Sequence, residues 1–537
     1  MKKYWMFLAV LACSFSSYAQ LSNYEIKFEN IQIDGLVGVQ AFAHATDGSN
    51  WLILGGRTDG LHRRQPFASF DKQGNNTLIQ VIDPLNKQSW QISCKDLDSS
   101  LQDQLSATNM QFIQNGQYLY LTGGYGYSSQ LNKHITYQKM IAIDIAGLIQ
   151  AIKQKKSITA FFRQITNPIF TVTGGQLKKI NQQYYLIGGQ NFQGKYNPMG
   201  PDHGPGFYQE YSNQLKKFNL EDNGSTINIK NFSTQKDSLA FHRRDYNVVS
   251  QIMPDGNQGL TAFSGVFQVK ENIPYLNAVN ITDKKYSIDP SFAQYYNHYH
   301  CANVGLYSAK NNEMHSMFFG GIAQYYDSAN HLVQNTDVPF VKTIAVVIRD
   351  KNGQMAEYKL PIEMPNYLGA GAEFIHAPNM PQFDNDVIKL DELGSESVLI
   401  GYIYGGINSQ AKNIFWTNTG KESIASNKLI KVYLNKNTNS KVGILNNQSN
   451  NGIQLQASGS ISDDFVSLRF NLIQKAQVRV QLLDNNQKLV KSMNWDSLST
   501  GANQIKIPIV KPKNGANYWI HLIIGKDVYK QKLVIEP

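Results

Sequence analysis

The sequence predicts an all-β protein built from repeated antiparallel sheets, and three observations predict it. Apolar runs that end in two glycines recur along the chain, the first of them WLILGG at residues 51–56. Tyr and Phe, which favour strands, number 29 and 26 among 537 residues. Glycines number 41 against 17 prolines, a balance typical of short strands joined by tight turns. Hydrophobic residues make up 42% of the chain, which excludes disorder for most of it.

The N-terminus has the pattern of a processing signal. Lys2 and Lys3 precede an apolar run over residues 4–12, and small residues at 17 and 19 follow it. We therefore expect a secretory signal peptide over residues 1–19, cleaved after Ala19. The run is too short to cross a bilayer core of ~30 Å, and no other stretch is long enough, so no transmembrane span is predicted. The alternative is a lipoprotein cleaved before Cys13, although Leu11 fits that signal poorly.

A repeat of about 55 to 85 residues runs through the middle of the chain. Six copies of the apolar strand and its glycines lie at 51–56, 118–124, 184–189, 260–265, 317–321 and 403–406, with Ser264 replacing one glycine. A double glycine lets the backbone turn sharply and approach a neighbour where no Cβ would fit. A single four-stranded unit cannot bury both of its faces, whereas a ring of such units can.

The segments around each copy complete the predicted unit. An alternating strand precedes the glycines, and a third strand follows them, as at 77–84, 139–144, 214–220 and 429–434. Residues 24–31 also alternate and are expected to complete the last unit and close the ring. One helix is expected after the second copy, because the apolar residues 145, 148, 149 and 152 share one helical face.

Over residues 24–445 the chain resembles kelch-repeat proteins. The resemblance rests on the double glycines after apolar strands, on Asp83-Pro84 and on Trp90. It implies a six-bladed β-propeller with one four-stranded blade per repeat. After signal removal two cysteines remain, Cys94 and Cys301, and the repeat places them in blades that are not neighbours. Both are therefore expected to be free and buried.

From about residue 446 the texture changes. A polar linker at 446–452 leads into strict alternation, in which Val478 and Val480 point one way and Arg479 the other. We expect a small antiparallel β-sandwich over residues 446–537. Its order of features at 478–484, 500–503, 515–518 and 530–535 resembles the C-terminal sorting domain of type IX secretion (Por secretion), although the usual Asn-Pro is missing and Asn486 stands near an expected Gly. The alternative is a generic accessory sandwich.

The sorting-domain resemblance implies that the type IX secretion machinery is a partner and that the protein is secreted or held at the outer cell surface. Charge excludes another class of partner. The formal net charge is +10, but residues 21–450 hold 37 basic and 34 acidic residues, a net of only +3. A phosphate backbone requires a dense basic face, so nucleic-acid binding is not expected.

The candidate ligand-binding residues lie where inner strands begin and where the double glycines end, because a propeller brings both to one mouth. Arg side chains suit carboxylates or sulfates, and Tyr faces suit sugar rings. Convergent polar groups at a concave mouth are a binding-site hypothesis, and the alternative is that they tie adjacent blades together. The candidates are Arg57, His62, Arg63, Arg64, Tyr125, His203, His242, Arg243, Arg244, Tyr246, His298, Tyr299 and His300.

These residues favour a binding module, for a glycan or a surface protein, over an enzyme. No Gly-x-Ser-x-Gly, His-Glu-x-x-His or Cys-x-x-Cys occurs, and no metal or cofactor is predicted. Two catalytic alternatives come from the propeller resemblance. Sialic-acid mutarotases need an acid/base, which His300 or His242 would provide, and an Arg such as Arg243. Copper-radical oxidases have an adjacent pair similar to Tyr299-His300 but also need a Tyr crosslinked to Cys, and Cys301 directly follows the pair.

Overall fold

The structure is a computed structural model that describes residues 24–436 and 449–534. Short gaps within these ranges are 66, 201–202, 205, 329–330, 395, 451–452, 459–464, 473–474, 485–488, 500, 510–516 and 525–526. The predicted signal peptide at 1–19, Cys13, and part of the predicted linker lie outside the described residues. Among the helices of the described part, none is long and apolar enough to cross a membrane.

Six sheets of four or five strands follow one another over residues 24–436. Sheet 1 contains Ala43–Thr46, Trp51–Leu54, Leu78–Asp83 and Gln88–Ser93. Sheet 2 contains Gln111–Asn115, Tyr118–Thr122, Lys139–Asp144 and Phe162–Thr166. Sheet 3 contains Gln176–Ile180, Gln183–Ile187, Gln214–Asp222 and Ile227–Lys236. Sheet 4 contains Asn247–Ile252, Gln258–Phe263, Ala278–Ile281 and Tyr286–Asp289.

The last two sheets have five strands each. Sheet 5 contains Ala302–Ser308, Glu313–Phe319, Thr343–Arg349, Met355–Glu363 and the parallel edge strand Ile388–Lys389. Sheet 6 contains Tyr24–Ile31, Tyr367–His376, Ser397–Ser409, Ser423–Ala425 and Leu429–Lys436. Three hairpins extend from the sheets: Tyr125–Ser128 with Lys133–Thr136, Gln190–Gly194 with Phe207–Tyr211, and Tyr325–Ser328 with His331–Gln334.

Helices are short and few in the described residues. The α-helices are Ser99–Leu105, Ile145–Lys153 and Ser238–Phe241, and the 3-10 turns are Lys72–Gly74, Cys94–Asp96, Thr159–Phe161, Pro168–Phe170 and Leu390–Glu392. The predicted helix after the second copy is confirmed: Asp144 caps it by accepting from the Gly147 N–H at 3.2 Å, and its apolar face is buried. Cys94 and Cys301 are free and buried, as expected.

The N-terminal strand closes the array, as the sequence predicted. Tyr24–Ile31 pairs antiparallel with Leu429–Lys436 along its whole length, so the first and last strands of this region share sheet 6. Tyr24, Ile26 and Ile31 of this strand are buried. The ends of the region are therefore held together by hydrogen bonds within one sheet, which is the way a propeller avoids exposed edges.

The double glycines connect each sheet to the next. In every copy the N–H of the second glycine donates to a carbonyl oxygen at or just before the start of the inner strand of the following sheet. These bonds are Gly56 to Ala107 (2.8 Å), Gly124 to Val172 (2.9 Å), Gly189 to Arg243 (2.7 Å), Gly265 to His298 (3.3 Å), Gly321 to Leu368 (3.3 Å) and Gly406 to Val39 (2.8 Å). At Gly123, φ is +60° and a Cβ would collide with the Val172 carbonyl, so a side chain is excluded there.

A second set of six hydrogen bonds encircles the axis, which we call the mouth ring. One residue at or near the start of each inner strand donates its N–H to the carbonyl of the ring residue before it, over 2.8 to 3.2 Å. The members are Ala41, Asn109, Gly174, Asp245, His300 and Gly371, and Ala41 donates to Gly371 to complete the circle. Sheets joined in this cyclic order have the arrangement of a β-propeller.

The C-terminal residues form two further antiparallel sheets. One contains Ser449–Asn450, Ile453–Ser458, Phe465–Leu472 and Gly501–Pro508, and the other contains Ala476–Leu483, Leu489–Leu498, Asn517–Ile524 and Asp527–Val534. Both contribute to one hydrophobic cluster, with Leu468 and Ile507 from the first and Val480 and Leu522 from the second. Val478, Val480 and Leu482 are buried and Arg479 is exposed, so the predicted alternation is confirmed.

Candidate functional site

Five of the predicted ligand-binding residues are buried inside the protein: Arg57, Tyr125, Arg243, Tyr246 and His298. Their polar atoms are occupied by protein groups. The Tyr246 hydroxyl donates to the Ile187 carbonyl at 2.8 Å, and the Tyr125 hydroxyl donates to the Gly194 carbonyl at 2.5 Å. The two ring nitrogens of His298 lie 2.9 Å from the Gln294 carbonyl oxygen and 3.0 Å from the Gln324 backbone nitrogen. These side chains join neighbouring segments and do not reach the mouth surface.

Arg243 is 1% exposed and bonds only to protein oxygens. Its guanidinium donates to the carbonyls of Ala240 (2.8 Å), Ser264 and Asn277 (3.2 Å), and to the Asn277 side chain (2.5 Å). It also lies 4.2 Å from the centre of the Tyr275 ring. Burial without a facing carboxylate lowers its pKa to about 10. Arg243 therefore has a structural role: it joins the segment before sheet 4 to two loops of that sheet.

Arg57 has a comparable structural position at the end of sheet 1. It is 2% exposed, and its Nε and Nη2 donate to the two carboxylate oxygens of Asp59 at 2.7 and 2.5 Å. Its remaining donors reach the Asn75 side chain at 2.8 Å and the Asp71 carbonyl at 2.9 Å. The fork holds the loop that follows Gly55-Gly56, and four of the five guanidinium N–H groups are used within the protein.

The other predicted residues reach the surface. His62, Arg63, Arg64, His242, Arg244, Tyr299 and His300 are partly exposed, and His203 is exposed on a loop. Arg244 is central among them: its Nε donates to the Tyr211 hydroxyl at 3.0 Å, and it forms an ion pair with Asp245. His242 stacks on Tyr211 with ring centres 3.9 Å apart. Burial and the charge of Arg244 lower the pKa of His242, so its imidazole is neutral at pH 7.

A cavity of about 900 Å³ runs along the first strands of all six sheets. Polar side chains from different sheets line it, among them Gln114, Gln176, Asn303 and Gln382. The segment 377–387 lies at one end, where the Asn385 side chain donates to the Gln251 carbonyl at 3.1 Å. The volume and the convergence of polar groups are those of a small-molecule site.

The strongest charge pairing in this axial cavity joins His300 and Glu373. The His300 Nε2 lies 2.9 Å from the Glu373 Oε1, and both side chains are largely buried. Burial alone would favour neutral forms, but the opposite charge and hydrogen bonding of the partner prevail. They raise the pKa of His300 and lower the pKa of Glu373. These opposite shifts favour the charged forms of both groups, and an imidazole and a carboxylate at this distance can hold and transfer a proton within the cavity.

Further titratable groups line the same cavity, among them His44, Lys178 and His376. Burial lowers the pKa of His44 to about 4, against the opposing charge of Glu373. It also lowers the pKa of Lys178 and of His376. The His376 Nδ1 lies 3.0 Å from the Gln382 side-chain oxygen. The cavity thus combines the His300–Glu373 pair with two imidazoles and an amine that burial shifts toward their neutral forms.

Sequence reasoning identified His300 but not Glu373, His44, Lys178 or His376. Each missed residue lies within an inner strand, whereas the prediction considered only strand starts and post-glycine loops. A signal was present: His44 takes the partly exposed position between the buried Ala43 and Ala45, and Glu373 stands within the mostly buried strand Tyr367–His376. A charged residue inside such a strand points to the axis of a ring.

The copper-radical alternative does not fit the arrangement around Tyr299 and His300. Among the described residues no three His, Cys, Asp or Glu side chains are grouped as a metal site would require. The Cys301 thiol is buried 3.7 Å from the Asn247 side chain, and burial raises its pKa to about 12. His300 is paired with Glu373 and is therefore committed to an ion pair.

Comparison with known proteins gives a fold likeness only. No protein-family profile matches the chain, and no curated protein matches it. The structure of YjhT is similar with a TM-score of 0.41 and 11% identity over 74% of this chain and 98% of that one. A glycoside hydrolase family 43 arabinoxylan arabinofuranohydrolase from Bacillus subtilis, in complex with cellotetraose, has a TM-score of 0.26 and 12% identity over 80% and 96%. The activity must therefore be argued from this chain's own residues.

Proposed function

We propose that this protein is a glycan-binding β-propeller that holds a sugar in its axial cavity. One observation carries the proposal: a cavity of about 900 Å³ surrounds the His300–Glu373 pair with amide side chains. Sugar hydroxyls both donate and accept hydrogen bonds, and amides, imidazoles and a carboxylate match both roles. The partly exposed ring of Phe112, which also lines the cavity, lies beside His44 with ring centres 5.0 Å apart and supplies an apolar face.

A glycan array followed by calorimetry on the full chain tests this function. Glu373→Gln keeps the shape of the side chain but removes a charged acceptor. Loss of a charge-assisted hydrogen bond of about 1.5–3 kcal/mol weakens binding roughly 10- to 100-fold. Glu221→Gln is the matched control, because Glu221 is exposed at the outer part of sheet 3. Equal glycan binding by both variants would refute a sugar site in the cavity. If no glycan on the array binds, a surface protein remains as the ligand class.

A second candidate is an acid–base enzyme such as a sialic-acid mutarotase. The His300–Glu373 pair favours it, because opening a sugar hemiacetal needs one group that donates a proton and one that accepts it. The sequence predicted that Arg243 binds the sugar carboxylate, but Arg243 is buried and hydrogen-bonded to protein oxygens. Arg244 is partly exposed, so we propose that Arg244 binds the carboxylate instead. Nuclear magnetic resonance of anomer exchange tests it. Turnover that is lost in His300→Ala or His242→Ala would favour the enzyme over the binding module, and bound copper in the purified protein would revive the oxidase.

We also propose a more detailed architecture than an all-β propeller. The six glycine-mediated bonds between consecutive sheets support six kelch-like blades over residues 24–445. The shared cluster of the two C-terminal sheets supports a β-sandwich within 446–537. We assign that sandwich to type IX sorting, on the resemblance of its motifs. A crystal structure of the full chain with five or seven blades would overturn the first assignment.

Export completes the proposal. Cleavage after Ala19 would deliver the chain to the periplasm, and the C-terminal domain would direct it across the outer membrane to the medium or the cell surface. Intact-mass analysis of the protein recovered outside the cell tests both steps. A new N-terminus at Gln20 with a removed or modified C-terminus is expected. A lipidated Cys13, or a periplasmic chain with an intact tail, would refute the proposed route.

A further inference from the structure

An aromatic and cationic surface lies on the loops that follow the double glycines of sheets 1 and 6. We call it the rim platform, and it consists of Arg63, Arg64 and Trp416. Trp416 is 66% exposed although it is a large apolar side chain. Arg64 lies over its ring, and the Arg63 side chain packs on Gly420 of the same loop.

The two loops that carry the rim platform are fixed to one another. The Asn418 side chain donates to the carbonyls of Leu61 at 2.8 Å and His62 at 3.0 Å. In return, the Leu61 N–H donates to the Ser423 hydroxyl at 2.9 Å. These bonds join the end of sheet 6 to the end of sheet 1. The platform is therefore preorganised and needs little ordering when a ligand binds.

The arginines of the platform have donors to spare. The guanidinium carbon of Arg64 lies 3.7 Å from the centre of the Trp416 ring, so the group is stacked on the indole. No hydrogen bond or ion pair of the Arg63 or Arg64 guanidinium occurs within the described part of the chain. A stacked guanidinium keeps its N–H groups at the edge, where they form a fork for a planar anion. This contrasts with Arg57 and Arg243, which are buried and each make four hydrogen bonds to protein oxygens.

We propose that the rim platform binds an acidic sugar residue, with its carboxylate or sulfate on Arg63 and Arg64 and its ring against Trp416. The inference takes from the proposed function only that the ligand is a glycan. A neutral sugar would use the indole but leave both guanidinium groups unpaired. The carboxylate of Asp337, 3.4 Å from the indole nitrogen, is the polar contact of Trp416. It would accept from a sugar hydroxyl at the edge of the platform.

Calorimetry on the full chain tests the platform with three polymers: polygalacturonate, which has carboxylates, heparin, which adds sulfates, and neutral dextran. Arg64→Met and Trp416→Ala are each expected to weaken binding of an acidic polymer roughly tenfold or more. Arg64→Lys keeps the charge but loses the fork, so it should fall between Arg64→Met and the parent. The control is Lys506→Met, which removes a cation 4.1 Å from the Phe465 ring, outside the platform.

Either acidic polymer supports the proposal if it binds more tightly than dextran. Comparing the two polymers then shows whether the platform prefers a carboxylate or a sulfate. Equal affinity for dextran, or acidic binding that survives both variants, would overturn it. Polyglutamate is the fourth probe: if it binds as well as the sugars and Trp416→Ala has no effect, the surface recognises acidic peptide and the proposal is wrong. Glu373→Gln separates this site from the axial cavity: an acidic polymer that loses affinity in Glu373→Gln but not in Arg64→Met or Trp416→Ala is bound in the cavity, and that result would overturn the rim proposal.

Discussion

Replacement of Arg243 by Met would show whether the buried arginine beneath the mouth is structural. The variant keeps most of the aliphatic stem but removes the donors to the carbonyls of Ala240, Ser264 and Asn277. Each buried carbonyl left without a partner costs about 1–3 kcal/mol. The three belong to one network and do not add, so we expect a loss of about 3–5 kcal/mol in the free energy of unfolding.

Differential scanning calorimetry of the full chain measures this loss. At about 2.1 cal/mol/K per residue, a unit of about 400 residues shifts its midpoint by roughly 1.2 °C per kcal/mol, so the propeller transition should fall by about 4–6 °C. The control is Arg479→Met, because Arg479 is exposed and makes one bond, to the Asn494 side chain at 2.9 Å. Glycan affinity of the folded Arg243→Met variant should equal that of the parent. An unchanged midpoint together with lost binding would refute the structural assignment.

Three further predictions concern pH and closure. The pKa of His300 is raised and that of Glu373 is lowered, so their pair should stabilise the fold at intermediate pH. That contribution is lost as pH rises through the folded pKa of His300 or falls through that of Glu373. Thermal midpoints measured across pH should therefore decrease on both sides of this range in the parent, and Glu373→Gln should lack both decreases. Burial raises the pKa of Glu357 to about 8, so stability from this group should decline between about pH 4.5 and 8. Glu357→Gln should flatten that decline by a few kcal/mol in urea titrations, and an unchanged slope would contradict the assignment. Ile26 is 2% exposed in the closing strand, so Ile26→Ala should cost about 2–5 kcal/mol by pulse proteolysis, while exposed Lys27→Ala should cost little.

The repeat could be predicted from the sequence because its signal is local. Two glycines after an apolar strand mark a backbone position, and the backbone at Gly123 and Gly188 has the positive φ that only glycine adopts readily. Ser264 takes the same conformation with φ 53°, which explains how one copy departs from the pattern. The alternation of apolar and polar residues is local in the same way and predicts which side of a strand is buried. The prediction that residues 24–31 complete the last sheet is confirmed.

The chemistry of the site could be predicted only in part because its partners are distant in sequence. His300 and Glu373 belong to different sheets and meet only when the ring has closed. Arg243 is buried because three backbone carbonyls point toward its guanidinium, and the residue types in the sequence do not indicate the orientation of those carbonyls. An isolated tryptophan in a sequence does not indicate a binding surface, and the position of Trp416 beside Arg64 arises from contact between loops of the first and last sheets.

The mouth ring has no beginning and no end, which sets it apart from helices and open sheets. A helix leaves unpaired N–H groups at one terminus and carbonyls at the other, and a sheet leaves them along its edges. In the mouth ring each member, such as Asn109 or Asp245, donates on one side and accepts on the other, so no donor or acceptor is left over. Loss or duplication of one repeat would interrupt the mouth ring and leave a backbone N–H or carbonyl at the axis without a partner. The number of repeats is thus fixed by closure, while the point at which the chain is cut is free, and a circular permutant opened between two sheets should rebuild the same circle.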